Sequence, residues 1–169
     1  MNLSTLKWLW LSAVIVGLDY ASKHLAIQGL EFQRALPLFP GVNLTLVHNT
    51  GAAFSFLRDA GGWQRWFFVG LSATVGLVIV IWLARMPAER HRLACALSLI
   101  LGGAIGNLWD RINLGYVIDF VDVYVSTWHW PAFNVADSAI SIGAIILIID
   151  ALWLDRAEVS VSDERPRGR

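Results

Sequence analysis

Cysteine is almost absent from this 169-residue chain: Cys95 stands alone, inside an apolar run. A single cysteine cannot build a disulfide framework, and no Cys/His cluster has zinc-ligand spacing, so neither a stapled scaffold nor a metal centre is expected. No other cofactor is implied. Charge is scarce as well: 15% of residues are charged, formal net charge is zero, and there is no basic stripe or nucleic-acid motif. These features exclude electrostatic recognition of nucleic acid from the expectations. Internal repeats and low-complexity tracts are missing too, which leaves one domain over residues 1–169. What fills the chain is apolar: 56% of residues are hydrophobic, nine are Trp, and mean hydropathy is +0.56. Soluble domains of this size rarely have such a composition.

Four stretches reach the roughly 20 apolar residues that a hydrocarbon core requires. They run approximately over Lys7–Ile27, Trp66–Ala84, Leu93–Arg111 and Phe133–Leu154. The first resembles a signal peptide at its start, but its apolar character resumes through His24–Ile27 without a clear small-residue cleavage site, which favours a retained helix. Lys7, the three Arg of the loop over residues 85–92, and Arg156, Arg165, Arg167 and Arg169 of the tail over residues 155–169 would share one side. The positive-inside rule makes that side cytoplasmic, with both termini on it. The tryptophans sort the same way. Trp8, Trp10, Trp82 and Trp153 fall at inner ends, whereas Trp63, Trp66, Trp109, Trp128 and Trp130 fall at or beyond outer ends, where Trp favours the interface.

Two outer segments remain, over residues 28–65 and 112–132. The first is long for a structureless loop. Val42–Leu46 alternates apolar and polar residues, and Asn49-Thr50-Gly51 supplies turn chemistry before Ala52–Leu57, so a pair of strands is expected. In the second, Val117, Asp119, Val121, Val123 and Val125 share one parity of another strand-like stretch.

Polar residues inside the spans concentrate at one depth. At about 1.5 Å per residue, Asp19 and Lys23 lie roughly 18 and 24 Å from Lys7, and Asn107, Asp110 and Arg111 lie roughly 22 to 29 Å from Arg92. Asn134, Asp137, Ser138 and Ser141 open the fourth span from the same outer side. A shared polar pocket explains this layer economically. Asp19 with Lys23, one turn apart, and Asp110 with Arg111 are equally readable as pairs that neutralise one another and lock helices together. Asn49 is readable as a turn former or as a hydrogen-bonding arm. Gly51 is readable as a tight turn or as part of an extended segment that pairs with a bound peptide. Gly102, Gly103, Ala104 and Gly106 permit close helix approach.

Asp119 and Asp137 bracket a short polar and aromatic stretch at that membrane face. Asp137 alone would complete a capping box with Asn134 as the N-cap; Asp119 alone would be a strand acid, with Asp122 as its competitor. Together they suggest more. Two nearby carboxyl groups cannot both ionise cheaply, so one keeps a proton, and such a pair can activate a water against a peptide carbonyl.

Five ordered motifs match a known family. Asp19-Tyr20-Ala21-Ser22-Lys23, Asn49-Thr50-Gly51-Ala52-Ala53-Phe54, Gly106-Asn107-Leu108-Trp109-Asp110-Arg111, Val117-Ile118-Asp119-Phe120 and Phe133-Asn134-Val135-Ala136-Asp137-Ser138 resemble those of bacterial lipoprotein signal peptidases, also called signal peptidase II. The resemblance implies an all-α membrane protein, a four-transmembrane-helix bundle with a small extracytoplasmic β-sheet platform, in the bacterial inner membrane with its active site near the outer face. It also implies an aspartic endopeptidase that cleaves diacylglyceryl-modified prolipoproteins before the lipidated Cys. Membrane lipid and the inhibitor globomycin are the further implied partners. Asp119 rather than Asp122 pairs with Asp137 as catalytic. Asn49, Gly51, Asn107, Arg111 and Asn134 would line the site, and Asp19 and Lys23 would support it.

Two other classes compete on the residues alone. An ion-coupled transport subunit would use Asp19, Lys23, Asp110 and Arg111 as a relay, but a relay needs ionisable groups throughout the membrane depth and the inner halves of the spans are nearly bare. A noncatalytic scaffold would tolerate loss of either Asp119 or Asp137.

Overall fold

The computed structural model describes residues 3–51, 57 and 60–163. A short helix α1 (Leu3–Leu6) precedes α2 (Leu9–Gly29); the chain then forms β1 (Leu36–Phe39), β2 (Val42–Asn49), α3 (Trp63–Arg85), α4 (His91–Asn113), β3 (Val117–Val125), β4 (Trp128–His129) and α5 (Val135–Asp163). The molecule is thus mostly helical, with a small antiparallel sheet in the order β1-β2-β3-β4. Among the described residues three helices are long and apolar enough to cross a membrane: α3, α4 and Val135–Leu152 within α5. At 21 residues α2 has the length, but Asp19, Ser22, Lys23 and His24 dilute its apolar content.

Helix boundaries move by a few residues from those read in the sequence. Gly62, at φ 99°, turns the chain so that α3 begins three residues before Trp66. The backbone of α5 continues past Leu154 to Asp163. The connection between α3 and α4 is not simply a polar loop, because Met86 is buried with Ile79, Leu83, Ala94, Leu97 and Leu101 in the core at the end of the bundle away from the sheet.

The sheet has four strands where the sequence suggests a pair and one further strand-like stretch. Its edge strand β1 escaped the sequence pattern because Pro37 cannot donate to a ladder, and an edge tolerates that loss. The expected second strand over Ala52–Leu57 lies outside the described residues apart from Leu57. The strand before it, β2, pairs with β1 on one side and β3 on the other, setting Val47 opposite Asp119 and Asn49 opposite Val117. Ala26 of α2 packs with Leu46, Ile118 and Phe120 under the sheet, so the platform is seated on the helical bundle.

Helix α4 is the axis of the bundle, and its glycines set the distances. A Cβ added at Gly102 would stand 2.8 Å from Ile15 Cβ, one at Gly103 would collide with the Ala136 carbonyl oxygen, and one at Gly106 would stand 2.5 Å from Asp19 Oδ2. Small residues therefore let α2 and α5 lie directly on α4. Gly143 does the same from α5, facing the Ala96 carbonyl. The opposite faces of α3 and α5 expose Phe67, Leu71, Val78, Ile145 and Ile149, apolar surface suited to lipid.

Gly103→Ala should lower stability by about 1–3 kcal/mol, as overpacking does. Gly17→Ala should be neutral or slightly stabilising, since none of the described residues lies within 4 Å of the added methyl. Unfolding in mixed micelles measures both; equal effects would contradict close approach at α4.

Candidate active site

Lys23 is the centre of a polar network that joins α2 and α4 and, through their carboxylates, α5 and β3. Its ammonium lies 2.7 Å from Asp19 Oδ2 and 2.8 Å from Asp110 Oδ2, and donates to Asn107 Oδ1 at 3.2 Å. The side chains of Lys23, Asp19 and Asp110 are only 3%, 2% and 8% exposed. Burying one cation with two carboxylates is tolerable only if the remaining lone pairs find donors. They do. Asp19 Oδ1 accepts from Ala136 N at 2.9 Å, and Asp110 Oδ2 accepts from Ile118 N at 3.2 Å. Each of these amides belongs to the residue just before one of the two paired aspartates, Asp137 on α5 and Asp119 on β3.

Asn134, fully buried, joins the pair. Its Nδ2 donates to Asp119 Oδ1 at 2.8 Å and lies within reach of Ile118 O and Asn107 Oδ1, while its Oδ1 accepts from Asp137 N at 2.8 Å. The Asn134 amide donates in turn to Asp137 Oδ2 at 3.3 Å, closing the reciprocal capping box at the start of α5. Asn107 Nδ2 donates to Asp137 Oδ1 at 2.8 Å, and Asn49 Nδ2 donates to Asp119 Oδ2 at 2.9 Å. Every hydrogen bond described to the two carboxylates comes from an amide. Burial, and then the neighbouring Asp137 charge, push the Asp119 carboxyl up to about 7, against the lowering effect of Asn49, Lys23 and Asn134.

Asn49 is both a turn former and an arm: its Oδ1 accepts from Gly51 N at 3.0 Å while its Nδ2 reaches Asp119. Gly51 is buried, and its carbonyl accepts from Arg111 Nη2 at 2.8 Å. Arg111 does not neutralise Asp110, whose carboxylate faces Lys23. The guanidinium instead lies over the Phe68 ring at 4.8 Å, and its buried Nε has no hydrogen-bond partner among the described residues. Phe68 sits in a span that looks wholly apolar, so no sequence signal marked it. Asp122 goes elsewhere, because alternation along β3 turns it to the face opposite Asp119. There it accepts from Asn43 Nδ2 at 2.9 Å and meets His129 Nδ1 at 2.8 Å, tying β2, β3 and β4 together. A relay over Asp19, Lys23, Asp110 and Arg111 is therefore broken at its last link, because Asp110 faces Lys23 while Arg111 turns to Gly51.

A cleft of about 490 Å³ opens on this cluster, lined by Asn49, Asn107, Arg111 and Asp137 and, further out, by Trp130–Phe133 and the first turns of α5. Among the described residues no group of three His, Cys, Asp or Glu is placed to hold a metal ion. A family model described as Signal peptidase (SPase) II matches residues 11–153.

This chain belongs to the signal peptidase II family.

Membership makes it a peptidase. Lipoprotein signal peptidases of Acinetobacter baumannii and Alteromonas mediterranea are 51% and 52% identical to it over 158 and 145 residues. The first alignment covers 94% of this chain and 90% of the relative, the second 86% and 80%. The lipoprotein signal peptidase of Yersinia pseudotuberculosis is 48% identical over 153 residues, covering 90% of each. Two solved structures, described as bacterial membrane enzymes determined by the in meso method at 2.3 and 1.9 Å resolution, superpose with TM-scores of 0.79 and 0.75 at 25% and 27% identity. They cover 96% and 86% of this chain, and this chain covers 94% and 92% of them.

Removing the cation should unmake this architecture. Lys23→Met leaves two buried carboxylates uncompensated and should cost about 3–5 kcal/mol of stability, the usual penalty for breaking a buried pair. Unfolding in micelles at neutral pH measures it, and an unchanged midpoint would show that Asp19 and Asp110 do not depend on Lys23.

Proposed function

We propose that this peptidase removes signal peptides from diacylglyceryl-modified prolipoproteins by cutting before the lipidated Cys, with Asp119 and Asp137 as a catalytic aspartyl pair. The observation that carries the reading is Asn134, whose one buried side chain holds Asp119 by its Nδ2 and the Asp137 amide by its Oδ1, behind a cleft that Asp137 itself lines.

The pair shares one proton, because two neighbouring carboxyl groups cannot both ionise cheaply. The ionised carboxylate takes a proton from a bound water as the water oxygen attacks the scissile carbonyl carbon. The protonated carboxyl gives its proton to the carbonyl oxygen. Collapse of the resulting diol breaks the C–N bond: the leaving nitrogen takes the proton first gained from water, the diol returns its proton to the other carboxyl, and the pair again holds one. Asn49, Asn107 and Asn134 fix both carboxyl groups throughout. Gly51 and the Arg111 guanidinium border the substrate channel.

The same proposal makes α2 a fourth membrane span, despite its polar turn, because Asp19 and Lys23 face inward and leave its lipid side apolar. The whole chain then acts as one domain. Both termini lie in the cytoplasm, with the pair near the outer face of the inner membrane, and globomycin competes for the cleft.

Either Asp119→Asn or Asp137→Asn should lower kcat roughly 10²- to 10⁴-fold, the usual range for losing a general acid or base, while leaving a folded protein. Purified protein incubated with a diacylated prolipoprotein, with product followed by gel shift, tests this; normal turnover by Asp137→Asn would sink the pair. The raised Asp119 pKa fixes the sign of the pH dependence. The shared proton is present below about 7 and is lost above it, so kcat/KM should fall as pH rises through about 7. A rate still climbing well above that pH would contradict the assignment.

A further inference from the structure

The cleft does not end at the polar cluster. Its outer wall is the first turns of α5, Asp137, Ser138, Ser141 and Ile142 among them, and below these the same side of the helix carries Ile145, Ile148 and Ile149. At 100° per residue Ser138, Ile142, Ile145 and Ile149 fall within about one-sixth of a turn, with Ser141 and Ile148 flanking them. Ile142, Ile145 and Ile148 are 52%, 57% and 57% exposed, whereas Ala136, Ala139 and Gly143 bury the other side against the bundle. From Ser138 to Leu152 the stripe is about 21 Å long.

We propose that this face of α5 is the track on which the apolar helix of the precursor's signal peptide docks; the inference rests on the function proposed above. The track begins at Asp137 and runs down at hydrocarbon depth, so a helix lying on it delivers its outer end to the carboxylates. The apolar region of a signal peptide, some 7–15 residues, spans about 10–22 Å as a helix, which matches the stripe. Small residues sit where the approach must be closest: Ser138 and Ser141 flank the cleft, and the larger isoleucines follow below, an arrangement that lets a second helix pack tightly at its upper end. A larger apolar groove of about 610 Å³, lined by Ala13, Ser72, Ala73 and Gly76 between α2 and α3, is the rival track. It shares no lining residue with the cleft, and Asp137 is not among the residues that line it.

The test uses the full-length Asp137→Asn protein in lipid and a diacylated precursor carrying a photoreactive benzophenone residue at the centre of its apolar segment. After irradiation the crosslinked peptides are mapped by mass spectrometry, and cleavage of the same precursor by the unsubstituted protein is followed in parallel. Crosslinks within residues 141–152 are expected. In the active protein, Ile145→Ala with Ile148→Ala should raise KM for the full precursor roughly tenfold with little change in kcat, the effect of losing about 1.4 kcal/mol of helix packing. Crosslinks in the α2–α3 groove, or none on α5 while the precursor is cleaved, would overturn the track alone. Failure of the unsubstituted protein to cleave the precursor would instead overturn the function on which it rests.

Discussion

The buried ammonium of Lys23 is the constraint on which the rest of the structure depends. It holds Asp19 and Asp110 on two different helices, and each carboxylate spends a further lone pair on a backbone amide. One of those amides precedes Asp137 and the other precedes Asp119. A single cation therefore positions the strand and the helix that carry the proposed catalytic pair, and through Asn107 it also reaches Asp137 directly from α4. In a low-dielectric interior such a network is all or nothing: fully satisfied it fixes geometry, and with one member missing it leaves uncompensated charge.

Packing and chemistry meet at α4. The absence of a side chain at Gly106 lets Asp19 come close enough to face Lys23 and cap α5, and Gly103 admits the Ala136 backbone. Larger residues at these positions would push α2 and α5 outward, and Asn134 would no longer span the distance between Asp119 and the start of α5. The sheet supplies the other half of the alignment. With Val47 opposite Asp119 and Asn49 opposite Val117, β2 brings the Asn49 amide to Asp119 from the strand next door.

Much of this was legible in the sequence, and the exceptions have physical reasons. Helical spacing placed Asp19 against Lys23, the capping-box pattern placed Asn134 against Asp137, and strand parity set Asp119 on one face with Val117, Val121, Val123 and Val125. Depth counting gathered Asn107, Asp110 and Arg111 into one layer but not into pairs. Adjacent residues on a helix point about 100° apart, so Asp110 and Arg111 find separate partners, Lys23 and Gly51. The choice of Asp119 over Asp122 came from the family motif, since alternation separates the two acids without saying which face is the site. The edge strand β1 was hidden by its proline, and the role of Phe68 beneath Arg111 depends on the approach of α3 to α4, a long-range contact that no local pattern encodes.

The central claim is that Asp119 and Asp137 act as one coupled pair, and it is tested most directly by titrating Asp119 itself. Isotope-edited infrared spectra of the Asp119 carboxyl, recorded across pH in lipid, should show it losing its proton near 7. In Asp137→Asn the same carboxyl should titrate lower, because the like charge that helps to raise it is gone. An Asp119 that is already ionised in mildly acidic solution, or one whose titration is indifferent to Asp137, would contradict the account.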